Sequence, residues 1–367
     1  MTQTTPGNPK ARPSCEGGLY EVCVGVPDLA ASIAYYERFG CRAGRFGTLD
    51  AAAARALYGM DSAVRSVRLY HQDADHGLIR LMQWDRPVND GLGLDDNLRC
   101  LGSRWGVRLT ASVLNVANHA ITARDLGEPI RLIEPILAVI GEVTGERAPR
   151  PFADPIVGVR EMVVIQPLYR QVFFERFGYE SPHYGCICPH AMFRTSQHTH
   201  AGMMICTDDH QVLRFYDEVL GLKRWFDGER PYGQATGSRQ IFGLEDGETH
   251  WMVDFDDPRS GHALDERRSG KLKIVRFAAS SRLADKRDRS RPGCLGYSQY
   301  TWRASDAEGL WKLVQAGGAT QVTVTLERDG QPQVMSLNMD QVSPEEEEQL
   351  APYKDFIEGL DLEDLGD

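Results

Sequence analysis

A repeated strand-and-helix cassette constrains this chain more than any other feature. Residues 21–28 alternate apolar and polar positions, as a half-buried strand does, and end in Asp28. An amphipathic helix through Tyr35 and Tyr36 follows and stops near Gly40. Residues 201–208 repeat the plan, end in Asp208, and lead to a helix through Phe215 and Tyr216 that stops at Gly221. The interval from aspartate to aromatic pair is seven residues in both copies, 28 to 35 and 208 to 215. Two looser copies begin at Arg108–Asn115 and Gln299–Asp306, with helices ending near Gly127 and Gly317. A later strand recurs as Gly77–Met82, Gly158–Val163 and Gly247–Met252, with no clear fourth equivalent near Val334–Leu337. Each unit is too small to bury one face of its own sheet, so the units are expected to pair.

The units divide the chain into a first domain over 17–180, with units at about 17–88 and 104–168. A second domain runs over 195–342, with units at about 198–258 and 294–342. The turn-rich segment 180–189 reads as the connection between domains. The basic run Asp265–Arg291, interrupted by the strand-like Leu272–Phe277, reads as a long connection inside the second domain. The expected class is α+β, four β-α-β-β-β units paired into two curled mixed-sheet domains.

Charge matters only in its distribution. The formal net charge is −11, from 41 basic and 52 acidic residues. Residues 343–367 hold ten of the acids against one lysine, so the rest of the chain is near −2 (40 against 42). That segment reads as an acidic, solvated C-terminal tail. No basic stripe with interleaved aromatics appears, so no nucleic-acid partner is expected. No apolar window is long enough to span a membrane, and Met1–Ser14 is polar with neither a signal nor an anchor. A cytoplasmic location follows as an expectation, with reduced thiols for the eight cysteines.

The residues carrying the repeat, Val26, Pro27, Asp28, Ser32, Tyr35 and Tyr36, with Phe215, Tyr216, Leu220 and Gly221, resemble the vicinal oxygen chelate superfamily. That superfamily holds glyoxalase I, extradiol dioxygenases and bleomycin-resistance proteins. The resemblance implies curled sheets enclosing a pocket. In metal-binding members, ligands come from the first strand, seven residues before the aspartate, and from the last strand of a unit. Carried over, the first-strand positions are Glu21, Arg108, Ala201 and Gln299, and the last-strand positions are Arg80, Glu161 and His250. The resemblance therefore implies Glu21, Glu161, His250 and Gln299 as metal ligands, with His200 joining if a bulge near Gly202 resets the strand register. A divalent ion (Fe, Mn, Ni or Zn) is the implied cofactor, with no nucleotide cofactor. Glu161 and Glu21 would shuttle protons on a small oxygenated substrate through an enolate-type intermediate, as in lyases and isomerases of the glyoxalase type.

Arg80 and Arg108 cannot ligate a metal, but they suit a carboxylate or enolate oxygen. Trp225, Tyr232, Trp251 and Tyr297 suggest an aromatic substrate; of these, Trp251 and Tyr297 stand as substrate-binding candidates with the two arginines. The cluster His183, Cys186, Cys188, His190, His198 and His200 is a weaker candidate for an accessory metal site. Extradiol dioxygenases need histidines where this chain has Ala201 and Gln299. A ring-cleaving enzyme with a reworked iron site is thus one alternative, and a metal-free binding protein is another. The partner is a small molecule, with room for pairing of two copies into a homodimer. The sequence leaves open which units pair. Only pairing of the outer units, and hence of the middle two, would bring Glu161 to His250 and His200.

Overall fold

The structure is a computed structural model. It describes residues 14–142, 156–205, 211–232, 236–263, 265–304, 321–328 and 331–338, with single positions between 306 and 312. Asp208 and the 343–367 segment lie outside the described residues.

The first unit runs β1 (Glu21–Gly25), α1 (Leu29–Glu37), β2 (Cys41–Leu49), α2 (Ala51–Tyr58), β3 (Val64–His71) and β4 (Leu78–Trp84). Asp28 starts α1 by accepting from the amides of Ala30 at 2.7 Å and Ala31 at 3.1 Å, satisfying two donors that a helix start leaves open. The helix buries Leu29, Ser32 and Tyr36, one stripe at helical spacing. Gly40, at φ 85°, then adopts a left-handed backbone that turns the chain into β2. Unit two repeats this as β5 (Arg104–Thr110), α3 (Val113–Asp125), β6 (Arg131–Glu142), β7 (Ile156–Ile165) and β8 (Arg170–Phe177). Here Ser112 is the cap, accepting from Asn115 N at 3.2 Å. Unit three is β9 (Thr195–Ile205), α4 (Gln211–Arg214) with a π-helical turn (Phe215–Val219), β10 (Lys223–Arg230), α5 (Thr236–Phe242), β11 (His250–Asp256) and β12 (Lys271–Phe277).

In each of these units the first strand lies parallel to the last, and the other pairs are antiparallel. The units then join edge to edge. β5 pairs antiparallel with β9, giving an eight-stranded sheet in the order β10-β11-β12-β9-β5-β8-β7-β6. The fourth unit contributes β13 (Gly296–Thr301), which pairs antiparallel with β1 and completes a five-stranded sheet, β13-β1-β4-β3-β2. β14 (Gln321–Arg328) and β15 (Gln331–Asn338) form a separate hairpin.

The middle units therefore pair with each other, and the first pairs with the fourth. Each large sheet draws strands from both the 17–180 and the 195–342 segments, so the sheets do not follow that sequence division. Two unit ends also lie further along than expected. β8 extends beyond residue 168, and β12 is a sheet strand rather than part of a connection.

A single apolar core joins Val22, Val24, Leu69 and Ile79 of the five-stranded sheet to Met162, Val164 and Phe173 of the eight-stranded one. Tyr36 of α1 and Val116 and Ala117 of α3 belong to the same core, so these helices sit between the sheets. The opposite, inner face of the eight-stranded sheet carries Trp105, Val107, Phe174 and Val275, covered by Ile241 and Phe242 of α5.

Candidate functional site

Side chains alternate across a strand, so face and register decide which candidates meet. Glu161 on β7 lies opposite Phe174 and Ile136, on the inner face. His200 on β9 lies opposite Val107 on that same face, with Ala201 turned to the core between the sheets. No bulge at Gly202 is involved; the register shifts fall beside Arg108. His250 on β11 reaches the face between the rings of Phe242 and Phe277, with centroids 5.8 Å away in both cases. Pairing of units two and three thus brings Glu161, His200 and His250 onto one surface. The strands that carry Glu161 and His250 are the third of their units, not the last.

The side chain common to all three is Lys273 on β12, a residue that sequence reasoning missed. Its signal was the strand-like run 271–277, read as a connection. Burial pushes the Glu161 carboxyl up, and the Lys273 ammonium draws it back. Burial and the same ammonium hold His200 and His250 neutral, His250 down at about 4. Lys273 Nζ also stands 3.8 Å from Asp254 Oδ1, whose other oxygen accepts from Lys271 at 3.0 Å. Lys271 and Lys273 lower the Asp254 carboxyl to about 2. His200 Nδ1 is 3.3 Å from the Tyr184 hydroxyl and 3.1 Å from Thr199 Oγ1. His250 is 2% exposed, and among the described residues neither of its ring nitrogens has a partner. Gly237, in the first turn of α5, closes over Glu161: a Cβ there would lie 3.1 Å from its carboxylate.

These residues do not fit a bound divalent cation. Among the described residues, no three His, Cys, Asp or Glu side chains gather as a metal-holding group. The Lys273 ammonium, whose charge acts on all three side chains, would repel a second cation.

The other candidates lie elsewhere. Glu21 is buried on β1, where Arg80 grips both its oxygens at 3.0 and 3.1 Å, Arg68 pairs with one of them, and the Thr301 hydroxyl donates at 3.3 Å. Both Glu21 oxygens are thus engaged by guanidiniums. Gln299 neighbours it on β13 and donates to Cys23 Sγ at 3.6 Å, far along the fold from His250. Arg108 is wholly buried between the sheets, on the face opposite Val107. Tyr297 is buried in the same core. Trp251 faces away from His250, donating to Asp227 Oδ1 at 2.5 Å. Trp225 stacks under Arg267, and Tyr232 under Arg239. Cys186 donates to Gln72 Oε1, while His198 is buried with both ring nitrogens unpartnered. The 183–200 cluster does not gather as a metal site. An open cleft of about 430 Å³ at the start of α1, lined by residues including Asp28, Phe46 and Arg65, touches none of the candidates.

No family model matches this chain, and no curated protein matches it. Solved structures do. A glyoxalase I variant from Zea mays is 13% identical, with 89% of this chain and 95% of that chain covered, at a TM-score of 0.40. A Bacillus subtilis protein provisionally named a dioxygenase is 12% identical over 87% and 80%, at 0.42. A glyoxalase family protein from Bacillus cereus is 14% identical over 48% and 100%, at 0.27. At such scores the likeness supports no statement about activity. The described strand order stands by itself: repeated β-α-β-β-β units, joined edge to edge in curled mixed sheets, give this chain a glyoxalase-like fold.

Proposed function

We propose that this chain is a glyoxalase-like enzyme that moves a proton on a small oxygenated anion at the inner face of the eight-stranded sheet. Glu161 is the proton-transfer group and Lys273 the electrophile. The carrying observation is a carboxyl raised by burial within the field of a half-buried ammonium, on a face that also holds two neutral imidazoles. A base works best with its pKa near the working pH, and burial moves Glu161 in that direction. Glu161 takes a proton from the carbon beside the substrate carbonyl, and the electron pair moves onto oxygen. Lys273 faces that oxygen, where an ammonium in a water-poor site stabilises the enolate. Where the deprotonated carbon carries a hydroxyl, the enediolate oxygen takes up the hydroxyl proton as Glu161 returns its own proton to the former carbonyl carbon, which completes an isomerisation. His250, neutral and unpartnered, supplies a hydrogen bond that fixes the substrate. Lys271 and Arg176 near His200 favour an anionic substrate, and Trp105, Phe174 and Phe277 give it apolar walls.

The test is deuterium wash-in. A panel of α-keto acids and α-hydroxy ketones is incubated with the protein in D₂O and followed by proton NMR. Exchange above background that disappears in Glu161→Gln supports the reading. No exchange across the panel, or exchange indifferent to Glu161→Gln, overturns it. The apolar cover from α5 also favours a second reading, a binding protein. In that case ligands bind equally well to Glu161→Gln and no exchange occurs in either protein.

A further inference from the structure

Arg108 is 0% exposed and lies between the two sheets. Its Nη1 donates to Ser196 O at 2.7 Å, its Nε to Gln171 Oε1 at 3.3 Å, and its Nη2 weakly to Cys41 Sγ at 3.7 Å. All three acceptors are neutral, and among the described residues no carboxylate pairs with it. The rings of Tyr36 and Phe39, with centroids 5.7 and 5.5 Å from the guanidinium carbon, offset part of the cost of burying the charge. Cation–π contacts recover only part of what burying an ion costs.

The buried hydroxyls of Tyr36 and Tyr297 lie within reach of each other, and among the described residues Nδ1 of His71 and both ring nitrogens of His198 are buried without partners. All four side chains feel the Arg108 charge. Burial holds the tyrosines and Cys41 protonated, and burial with the Arg108 charge holds both histidines neutral. Among the described residues no carboxylate balances the guanidinium, and the N–H of neutral His198, the register partner of Arg108, is unpartnered. Buried polar groups are rarely left so, and a cluster of them signals a missing ion or water. A net positive charge beside an unpartnered N–H selects an anion.

We infer that Arg108 anchors a buried site for a small monovalent anion, with Tyr36, Tyr297 and His198 as its further donors. The ion ties α1 and the five-stranded sheet, through Tyr36, His71 and Tyr297, to the eight-stranded sheet, through Arg108 and His198. This site is separate from the Glu161 face and stands whether or not the proposed activity does.

The test uses bromide on the full chain. The melting temperature is measured in sodium bromide and in sodium gluconate at equal ionic strength, and a crystal soaked in bromide is examined for anomalous scattering. A rise of the melting temperature that saturates with bromide is expected, as for any ligand that binds only the folded state. An anomalous peak beside Arg108 is expected with it. In Tyr297→Phe the half-saturating bromide concentration should increase several-fold, and in Arg108→Gln the bromide dependence should vanish. Equal melting temperatures in the two salts, with no peak beside Arg108, would overturn the inference. So would bromide stabilisation that both variants retain unchanged, since the ion would then sit elsewhere. The anomalous measurement needs no variant, so a variant that fails to fold leaves a decision in hand.

Discussion

The indole of Trp105 lies flat against the backbone of Gly202, its register partner across the β5–β9 seam. A methyl group at position 202 would overlap the indole ring. Gly202 is thus a glycine for want of space on the seam that joins units two and three. Gly202→Ala should destabilise the protein by about 1–3 kcal/mol through forced repacking of Trp105, read as a lower urea midpoint. An unchanged midpoint would mean that the indole has somewhere else to go.

Glu21 is a structural anion. Arg80→Met should cost about 2 kcal/mol, the scale of hydrogen bonds to a charged group, because Arg68 alone then neutralises a buried carboxylate. Glu21→Gln should destabilise as well, by leaving two guanidiniums facing each other. Neither change should move proton exchange at Glu161, since the two clusters lie on different sheets. Chemical denaturation and the wash-in rate measured on the same samples decide this.

His71 and His250 both titrate low, at about 4, against about 6.5 for the unfolded chain. The folded state therefore binds fewer protons between these values, so stability is full above pH 6.5 and falls as the pH drops towards 4. His250→Phe should flatten that decline, because the group that must be charged on unfolding is gone. Melting temperatures from pH 7 to pH 4 would show it, and parallel curves for the variant and the parent would refute it.

Glu161 carries the opposite sign. Its raised pKa means that the folded state binds the proton more tightly, so its contribution is favourable at low pH and is lost as pH rises through the folded value. Glu161→Gln should then raise stability at neutral pH by about 1 kcal/mol while abolishing exchange, the pattern of a strained active-site group. Lys273→Met should move the rising limb of the pH–rate profile upward, since Lys273 holds the Glu161 carboxyl down. Exhaustive dialysis against a chelator should leave the exchange rate of the parent unchanged.

The fold was legible because its signals are local. Asp28 announces α1 through two hydrogen bonds to adjacent amides, and the aromatic pairs repeat at the spacing the core demands. Register and pairing are long-range and were not legible. The family's spacing, counted back from Asp208, marked Ala201 for the site, but the seam with β5 sets His200 on the inner face. β12 begins with lysines that sequence reads as a solvated linker. Only the sheet shows Lys271, and Lys273 beside it, packed around Asp254. The same blindness made Arg108 look like a pocket residue, because chain position says nothing about which face lies between two sheets.

The nesting of the units also orders events during synthesis. Units two and three are consecutive, so the eight-stranded sheet can close once β12 has left the ribosome. Glu21 pairs with Thr301, 280 residues later, and β1 exposes its free edge until β13 arrives. An unpaired edge is an invitation to other chains. The first unit must therefore guard that strand until the growing chain has reached β13, and growing chains of this protein should lean on a chaperone at that edge.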